Sequence, residues 1–286
     1  MKKEDTSWGK VADWYDEVVT DPDSYQQKVI LPNILRIVFP ASAKAMAGEA
    51  KKGLKILDLA CGQGFFSHEM AKLGAEVVGI DVSPELIALA QKKSGSAEHG
   101  YFPARKFLVF APSRSQVSAE PAFFLAPATD LSILGEKKFD VVISILAIQN
   151  IENISQAFKE VSRVLKPLGK FVIVLNHPAF RIPKKSSWAF DETNKIQYRR
   201  VDEYLSESRA EIDMNPGAVG KGEKTISFHR PLQTYSKILA NSGFAISRIE
   251  EWISHKESQI GPRKIFEDRS RHEIPLFMCL ECVKVA

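Results

Sequence analysis

The sequence has little cysteine, with three residues of this type among 286. An odd and small number gives no disulfide framework, so we expect a protein of a reducing compartment. Cys279 and Cys282 have the spacing of half a zinc motif, but no second pair accompanies them. The residues around them, 276–285, are typical of a strand, in which positions three apart face opposite sides. The pattern therefore predicts a strand here and no bound metal.

Long apolar runs and blocks of like charge are also missing. No run approaches the roughly 20 apolar residues that span a bilayer, and residues 1–5 lack the apolar stretch of a signal peptide. The formal net charge of +4 is spread along the chain, which weighs against nucleic acid as a partner. We therefore expect a cytoplasmic protein without a membrane partner.

The composition allows a large core, and strand and helix patterns alternate along the chain. Hydrophobic residues make up 44% of the sequence, enough for a domain of this size. The near-continuous apolar run at 139–145 predicts a strand buried on both faces. Apolar residues at helical spacing follow over 154–165, and a further apolar run lies at 171–175. This alternation predicts an α/β fold with a doubly wound, mostly parallel sheet.

The most informative motif is a strand that ends in a glycine loop, followed by a strand that ends in an acid. The first strand carries Asp58 near its end, and Gly62 and Gly64 follow it. Glycines in such a loop let a ligand approach the main chain closely. The second strand, at 76–80, is closed by Asp81, whose carboxylate suits the two hydroxyls of a ribose. Together these features predict a site for a nucleoside cofactor.

The loop departs from the dinucleotide fingerprint G-x-G-x-x-G. Ser67 stands where the third glycine would permit close helix–strand packing. Asp58 is a poor neighbour for two phosphates but an acceptable one for a cationic ligand. The motif resembles the first motif of the class I S-adenosylmethionine-dependent methyltransferases, whose loop carries an amino-acid moiety and a sulfonium. A nicotinamide site stays as a distant alternative.

The resemblance extends over roughly residues 53–176, and the segment 160–169 is typical of the small-molecule branch of this family. It implies a Rossmann-like methyltransferase fold, with seven strands of which the last is antiparallel. On this basis 123–125 would be the third strand, and 244–253 and 276–285 would be the final two.

The chain is expected to divide into four parts. The stretch at 177–235 follows the fifth strand. A structureless loop of that length would be unusual in a compact domain, so we expect a lid with its own helices and strands there. The parts are an N-terminal helical cap at 1–52, a cofactor-binding core at 53–176 with an insertion near 94–122, the lid at 177–235, and the C-terminal part of the core at 236–286.

The resemblance implies a role for each residue of the glycine-loop motif. Asp81 would bind both ribose hydroxyls, and Val82 after it would pack on the adenine. Gly62 and Gly64 would let the methionine part of S-adenosylmethionine lie on the loop backbone. Asp58 would interact with the ammonium group of the cofactor, directly or through water.

Further cofactor contacts are expected at neighbouring positions of the same family pattern. Ala60 lies in the loop, and Ile145 ends the fourth strand. After the third strand, Pro127 stands where the family commonly has the acid that binds the adenine. Asp130 could replace that acid, and the backbone amide of Ala128 could bind the ring.

No strong base follows the fourth strand. Gln149 and Asn150 stand where many small-molecule members have histidine, and their amides could hold a substrate without accepting its proton. If a base is required, His177 after the fifth strand and His229 in the lid are the candidates, because the pKa of histidine suits proton removal near neutrality. The alternative for each histidine is a structural hydrogen bond.

Aromatic residues are dense near the start of the chain, where Tyr15 and Tyr25 lie. In the small-molecule branch a similar leader covers the cofactor, so both tyrosines are expected to close the pocket. Their rings would also suit a sulfonium through cation–π attraction. The alternative is that these aromatics only pack a helix on the sheet.

The resemblance therefore implies an enzyme that transfers a methyl group from S-adenosylmethionine to a small-molecule substrate by direct displacement. Two alternatives stay open. Scattered Lys and Arg residues at 105–114 and 181–200 would suit an RNA or protein acceptor. The pair Gln149-Asn150, with Pro127, would suit a cofactor-binding relative without transfer activity.

Overall fold

The computed structural model describes residues 8–40, 53–94, 120–214 and 222–285 of the chain. The strands within them are β1 (Lys55–Leu59), β2 (Glu76–Asp81), β3 (Ala122–Leu125), β4 (Phe139–Ile145), β5 (Leu165–Asn176), β6 (Ser186–Asp191), β7 (Ile196–Val201), β8 (Ser208–Asp213), β9 (Lys224–His229), β10 (Phe244–Trp252) and β11 (Phe277–Lys284). The α-helices are α1 (Ala12–Thr20), α2 (Leu31–Val38), α3 (Phe65–Ala71), α4 (Pro84–Lys93), α5 (Ile154–Val164), α6 (Leu232–Asn241) and α7 (Lys264–Glu273).

Seven of these strands form one sheet in the order β10-β11-β5-β4-β1-β2-β3. The five strands from β5 to β3 in that order are parallel, whereas β11 is antiparallel to both β5 and β10. The predicted α/β fold, with its antiparallel last strand, is therefore confirmed. Because the five parallel strands point the same way, their carboxyl ends share one edge of the sheet, where ligands of such folds bind.

The helices that follow the sheet strands begin at the residues that their sequences indicate. Ser83 caps α4, since its hydroxyl accepts a hydrogen bond from the amide of Leu86 at 3.3 Å, and Pro84 occupies the first helical position. In the same way the side chain of Asn153 accepts from the amide of Gln156 at 3.0 Å and caps α5. These caps fix where the chain leaves the carboxyl edge of the sheet.

Strand β5 starts earlier than the apolar run at 171–175 indicates, because it follows α5 directly at Leu165. Its pairing with β4 jumps from Phe139↔Leu165 to Val141↔Lys170. The residues between these pairs, 166–169, form a bulge that contains the proline and glycine of this segment.

Each face of the sheet is covered by its own hydrophobic cluster. On β1, Leu57 belongs to the cluster that includes residues of α5 and α6, whereas Ile56 belongs to the cluster that includes residues of α2 and α3. Side chains alternate along a strand, so Asp58 shares the face of Ile56. This alternation directs Asp58 toward α3.

The predicted lid contains two hairpins, β6–β7 and β8–β9. Strand β9 ends at His229, and α6 begins directly after Pro231. Most of the insertion near 94–122 and part of the N-terminal cap lie outside the described residues. None of the helices in the described ranges is long and apolar enough to cross a membrane.

Candidate cofactor-binding site

The loop after β1 has a backbone that requires glycine. Gly62 and Gly64 have φ angles of 58° and 79°, and Ala60 has a φ of 59°, a region that L-residues rarely adopt. A Cβ on Gly64 would lie 2.6 Å from Cζ of Phe123 in β3. The sequence Gly62-Gln63-Gly64 therefore forms a tight turn that carries the chain from the end of β1 into α3.

Asp81 lies at the end of β2, beside this loop. Its Oδ2 accepts a hydrogen bond from the amide of Gly62 at 2.9 Å, and its Oδ1 accepts one from the amide of Ser83 at 2.9 Å. Burial raises the pKa of the Asp81 carboxyl, while the Ser83 and Gly62 amides act in the opposite direction. Each oxygen has a further lone pair, so the fixed carboxylate can accept two more hydrogen bonds.

Asp58 is the second acid of the site and is 2% exposed. Its Oδ2 accepts a hydrogen bond from the hydroxyl of Ser67 in α3 at 2.6 Å. Burial is the largest cause that raises the pKa of Asp58 to about 7; the charge of Asp81 raises it further and the Ser67 bond lowers it. Ser67, at the position of the missing third glycine, therefore holds the acid, a role that sequence reasoning did not assign.

The residues present fit a cationic cofactor better than a pyrophosphate. Among the described residues, neither Asp58 nor Asp81 forms an ion pair with a lysine, arginine or histidine. Two buried acids with raised pKa values would repel a pyrophosphate, and a positive ligand would stabilise their charged forms. In addition, Nε2 of Gln63, within the loop, is buried without a hydrogen-bond partner. A ligand acceptor could satisfy it.

Of the two predicted tyrosines, the structure brings one to the loop. Cε1 of Tyr15, in α1, lies 3.3 Å from where a Cβ on Gly62 would be. Burial and the charges of Asp81 and Asp58 raise the pKa of Tyr15. Tyr25 lies elsewhere: its hydroxyl and that of Ser254 are 3.0 Å apart, and its ring packs edge-on against Phe277 at 5.6 Å between centroids.

The remaining cofactor candidates take different positions. Val82 is 38% exposed directly after Asp81, and Ile145 is buried at the end of β4. Ala128 packs against the core on the α5 side. Asp130 is exposed, and its Oδ1 accepts from the amide of Ser132 at 3.0 Å. Hydrogen bonds from the side chain and then the amide of Ser132 lower the pKa of Asp130. Asp130 therefore stabilises a turn, and within the described ranges no hydrogen bond or ion pair joins it to the loop.

The side-chain amides of Gln149 and Asn150, which follow β4, donate hydrogen bonds to backbone carbonyls of the protein. Nε2 of Gln149 donates to the carbonyl of Leu146 at 2.7 Å, whereas its Oε1 is buried without a partner. Nδ2 of Asn150 donates to the carbonyl of Ile226 in β9 at 2.8 Å. Asn150 thus attaches the second hairpin to the carboxyl edge of the sheet, and Gln149 keeps a free acceptor there.

His177 is held by hydrogen bonds at both ring nitrogens. Its Nδ1 accepts from the amide of Ala179 at 3.2 Å, and its Nε2 lies 2.7 Å from Oε1 of Glu251 in β10. Burial is the main cause that lowers the pKa of His177, whereas the hydrogen bond and the charge of Glu251 raise it. Since the bond from Ala179 places the proton on Nε2, the geometry favours the structural alternative, and a catalytic role for His177 stays a prediction.

His229 ends β9 and is 4% exposed. Its Nε2 lies 2.8 Å from the carbonyl oxygen of Tyr204, to which it donates. This bond joins the end of β9 to the segment before β8. The geometry again favours a structural role, and contact of His229 with a substrate stays a prediction.

Comparison with known proteins assigns the segment that contains the loop to a known domain. Residues 57–173, from β1 into β5, match the sequence family described as a methyltransferase domain. The chain is 27% identical over 242 residues to the demethylmenaquinone methyltransferase of Chlorobaculum tepidum, a match that covers 83% of this chain and 85% of that protein.

Two solved structures have the same fold over most of their length. An S-adenosylmethionine-dependent methyltransferase from Mesorhizobium loti aligns with a TM-score of 0.59 and 27% identity, over 85% of this chain and 95% of its own. A second structure, of a Listeria monocytogenes protein assigned to the same class of enzymes, aligns with a TM-score of 0.60 and 25% identity. The alignment covers 86% of this chain and 96% of that one. Together the sheet order, the glycine loop and these matches identify residues 57–173 as a methyltransferase domain, similar to those of S-adenosylmethionine-dependent methyltransferases.

Proposed function

We propose that the protein transfers the methyl group of S-adenosylmethionine to a small-molecule acceptor by direct displacement. The observation that carries the proposal is the carboxylate of Asp81, fixed by the amides of Gly62 and Ser83 beside the buried Asp58. The name of the demethylmenaquinone methyltransferase among its relatives supports a small-molecule acceptor.

The donor supplies a methyl group on a positively charged sulfur, so the task of the protein is to bind, orient and exclude water. Asp81 would accept both ribose hydroxyls through its free lone pairs. Asp58, oriented by Ser67, would hold the ammonium group. Tyr15 would cover the loop from α1, where its ring removes water from the donor.

We propose that residues 177–235 act as the lid that selects the acceptor. The bond from Asn150 to Ile226 supports this, because it holds β9 against the loop after β4 at the carboxyl edge. Arg230 adds two bonds, from its Nη2 to the carbonyls of Ile151 at 3.0 Å and Glu152 at 2.6 Å. These bonds support a lid attached at the edge where the donor site would lie.

The first test is calorimetric titration of the protein with S-adenosylmethionine and S-adenosylhomocysteine, with NAD as control. We expect micromolar binding of the first two and none of NAD. Asp81→Ala should lower the affinity by at least about 100-fold, because two charge-assisted hydrogen bonds are lost. Binding of the donor by Asp81→Ala as tightly as by the wild type would contradict the proposal.

A matched control is Asp140→Ala. Asp140 is in β4 near its amino end, and its carboxylate accepts from the amide of Lys55 at 2.9 Å and from Lys166 at 2.6 Å. Its loss removes an acid at the opposite edge of the sheet, so donor affinity should not change. Donor binding without turnover over a broad panel of acceptors would favour the inactive relative instead.

A further inference from the structure

Three arginines lie together where the lid meets the carboxyl end of β5. Arg181 follows β5, and its amide donates to the carbonyl of His177 at 2.8 Å. Arg199 is in β7 and faces Trp188 of β6 in the hairpin pairing. The guanidinium carbons of Arg181 and Arg199 lie 5.6 and 5.3 Å from the centroid of the Trp188 ring. Arg271, in α7, is close enough for its charge to affect Arg181.

No acid of the described residues pairs with these cations. None of the three arginines forms an ion pair with a carboxylate of the described residues, although other surface arginines do. Arg199 and Arg271 each have neutral partners, since Nε of Arg199 donates to the carbonyl of Phe180 at 2.8 Å and Nε of Arg271 to the hydroxyl of Ser258 at 3.1 Å. Nε of Arg181 is buried and has no hydrogen-bond partner.

The environment of Arg181 is unfavourable to its charge in the absence of an anion. Burial is the largest cause that lowers its pKa to about 10, and the charges of Arg199 and Arg271 lower it further, whereas Tyr25 acts in the opposite direction. A guanidinium that is partly buried among like charges becomes more stable when an oxyanion accepts its hydrogen bonds.

The cluster lies on the edge of the sheet that carries the donor site. The amide of Leu146, after β4, donates to the carbonyl of Val174 in β5 at 2.8 Å, so the ends of β4 and β5 are adjacent. Strand β1, which leads into the glycine loop, is on the other side of β4. Two strand spacings of about 4.8 Å separate β5 from β1, or about 10 Å. A small molecule can span the distance between these two strand ends.

We propose that Arg181, beside Arg199 and near Arg271, binds an oxyanionic group of the methyl acceptor, a carboxylate or a phosphate. The proposal rests on the proposed function, because it assigns the ligand to the acceptor side of that site. Binding at a distance from the reacting atom would orient the acceptor toward the donor. The neutral bonds of Arg199 and its contact with Trp188 place it as a support for the hairpin, so Arg181 supplies the free donor.

The test is calorimetric titration of the full chain, saturated with S-adenosylhomocysteine, with benzoate, phenyl phosphate and benzyl alcohol. At least one anion should bind at millimolar concentration or below, and the alcohol should bind more weakly. Arg181→Gln should weaken binding of that anion by about tenfold or more, because a charge-assisted hydrogen bond is lost. Comparison of benzoate with phenyl phosphate distinguishes a carboxylate from a phosphate.

The matched control is Arg200→Gln, the neighbouring position on β7, whose guanidinium pairs with Asp202 at 3.0 Å. It should bind the anion as the wild type does. Arg181→Lys keeps the charge without the planar fork and should give an intermediate affinity. Thermal melting and S-adenosylhomocysteine binding report whether each variant is folded, and both should match the wild type.

The inference is overturned if neither anion binds to the wild type, or if Arg181→Gln binds it as tightly. These results are separate from a failure of the proposed function. If S-adenosylhomocysteine does not bind to the wild type, the donor site is wrong. If it binds and the anions do not, only the arginine cluster is wrong.

Discussion

The glycine-loop site and the arginine cluster lie along the same edge of the sheet with opposite charge. The first combines two buried acids, Asp58 and Asp81, and no cation among the described residues pairs with either. The second combines three arginines, and no carboxylate of the described chain pairs with them. Many other charges among the described residues form ion pairs, as Lys170 and Glu281 do at 2.7 Å.

The difference shows how unbalanced charge indicates the kind of ligand. An uncompensated buried charge is unfavourable to the folded chain, so sites that keep one commonly bind a ligand of the opposite sign. The acids would suit the positive donor, and Arg181 would suit a negative acceptor. The predictions below test this comparison and the contacts that build the donor site, in order of decreasing effect.

The largest effect is expected when both acids lose their charge. In the double variant Asp58→Asn and Asp81→Asn, the affinity for S-adenosylhomocysteine should fall by at least about 100-fold, because the amides remove the charge and offer fewer acceptors. Binding of benzoate or phenyl phosphate by the arginine cluster should change by less than about twofold. Calorimetry with both ligands measures the two effects. An equal loss of affinity for both ligands would show that the two sites are not independent.

The next effect concerns the packing that the donor site requires. Gly64→Ala places a Cβ 2.6 Å from Phe123, at a φ of +79°, and should lower the free energy of unfolding by about 2–4 kcal/mol. Gly53→Ala is the matched control, because its φ is +88° and its nearest contact is 3.9 Å away. It should lower that free energy by about 1 kcal/mol. Denaturant unfolding measures both, and equal losses would contradict a role for the Phe123 contact.

The third effect is a pH dependence that only the donor site should have. Since the pKa of Asp58 is raised to about 7 in the free protein, the acid is largely neutral below that pH and a cationic ligand must bind its charged form. Affinity for S-adenosylmethionine should therefore rise about tenfold from about pH 5.5 to 7. Asp58→Asn should remove most of this rise. Calorimetry across the range tests it, and an unchanged profile in the variant would assign the titration to another group.

The same shift has a consequence for the free protein. Because the folded pKa of Asp58 lies above its unfolded value, stability is greatest below the unfolded pKa and is lost as pH rises toward about 7. Thermal melting without ligand, compared with Asp58→Asn, should show this loss in the wild type alone.

The smallest effect separates the two tyrosines. Tyr15→Leu should weaken donor binding by about threefold, through loss of an aromatic ring over a positive ligand. Tyr25→Phe removes the bond to Ser254 and should lower the free energy of unfolding by about 1 kcal/mol without changing donor affinity. Donor binding that depends on Tyr25 as strongly as on Tyr15 would contradict the placement of Tyr25 away from the loop.

Local patterns in the sequence were enough to predict much of the fold. The apolar run at 139–145 became β4 with the same bounds, and Ser83-Pro84 and Asn153 began their helices. The start of β5 was not predicted, because Pro167 and Gly169 are typical of a helix end and only pairing with β4 keeps them in the strand. Where a strand has a bulge, its bounds depend on pairing with the neighbouring strand, and the spacing of apolar residues in the sequence does not reveal that pairing.

The same holds for the site. Glycines and acids at strand ends were predicted from the chain, because close backbone approach and ribose binding demand those residue types there. The bond from Ser67 to Asp58 was not, since it depends on how α3 packs on β1. Nor was the separation of Tyr25 from Tyr15, which the path of the N-terminal segment decides.

The sequence by itself therefore determined the alternation of strands and helices, the tight loop after β1 and the two acids beside it. These features depend on residues that are close together in the sequence and on the alternation of side chains along a single strand. Only the tertiary structure decided that Asp58 and Arg181 have no ion-pair partner among the described residues. Charge compensation depends on groups that are distant in sequence and meet through packing, so no local pattern can supply it.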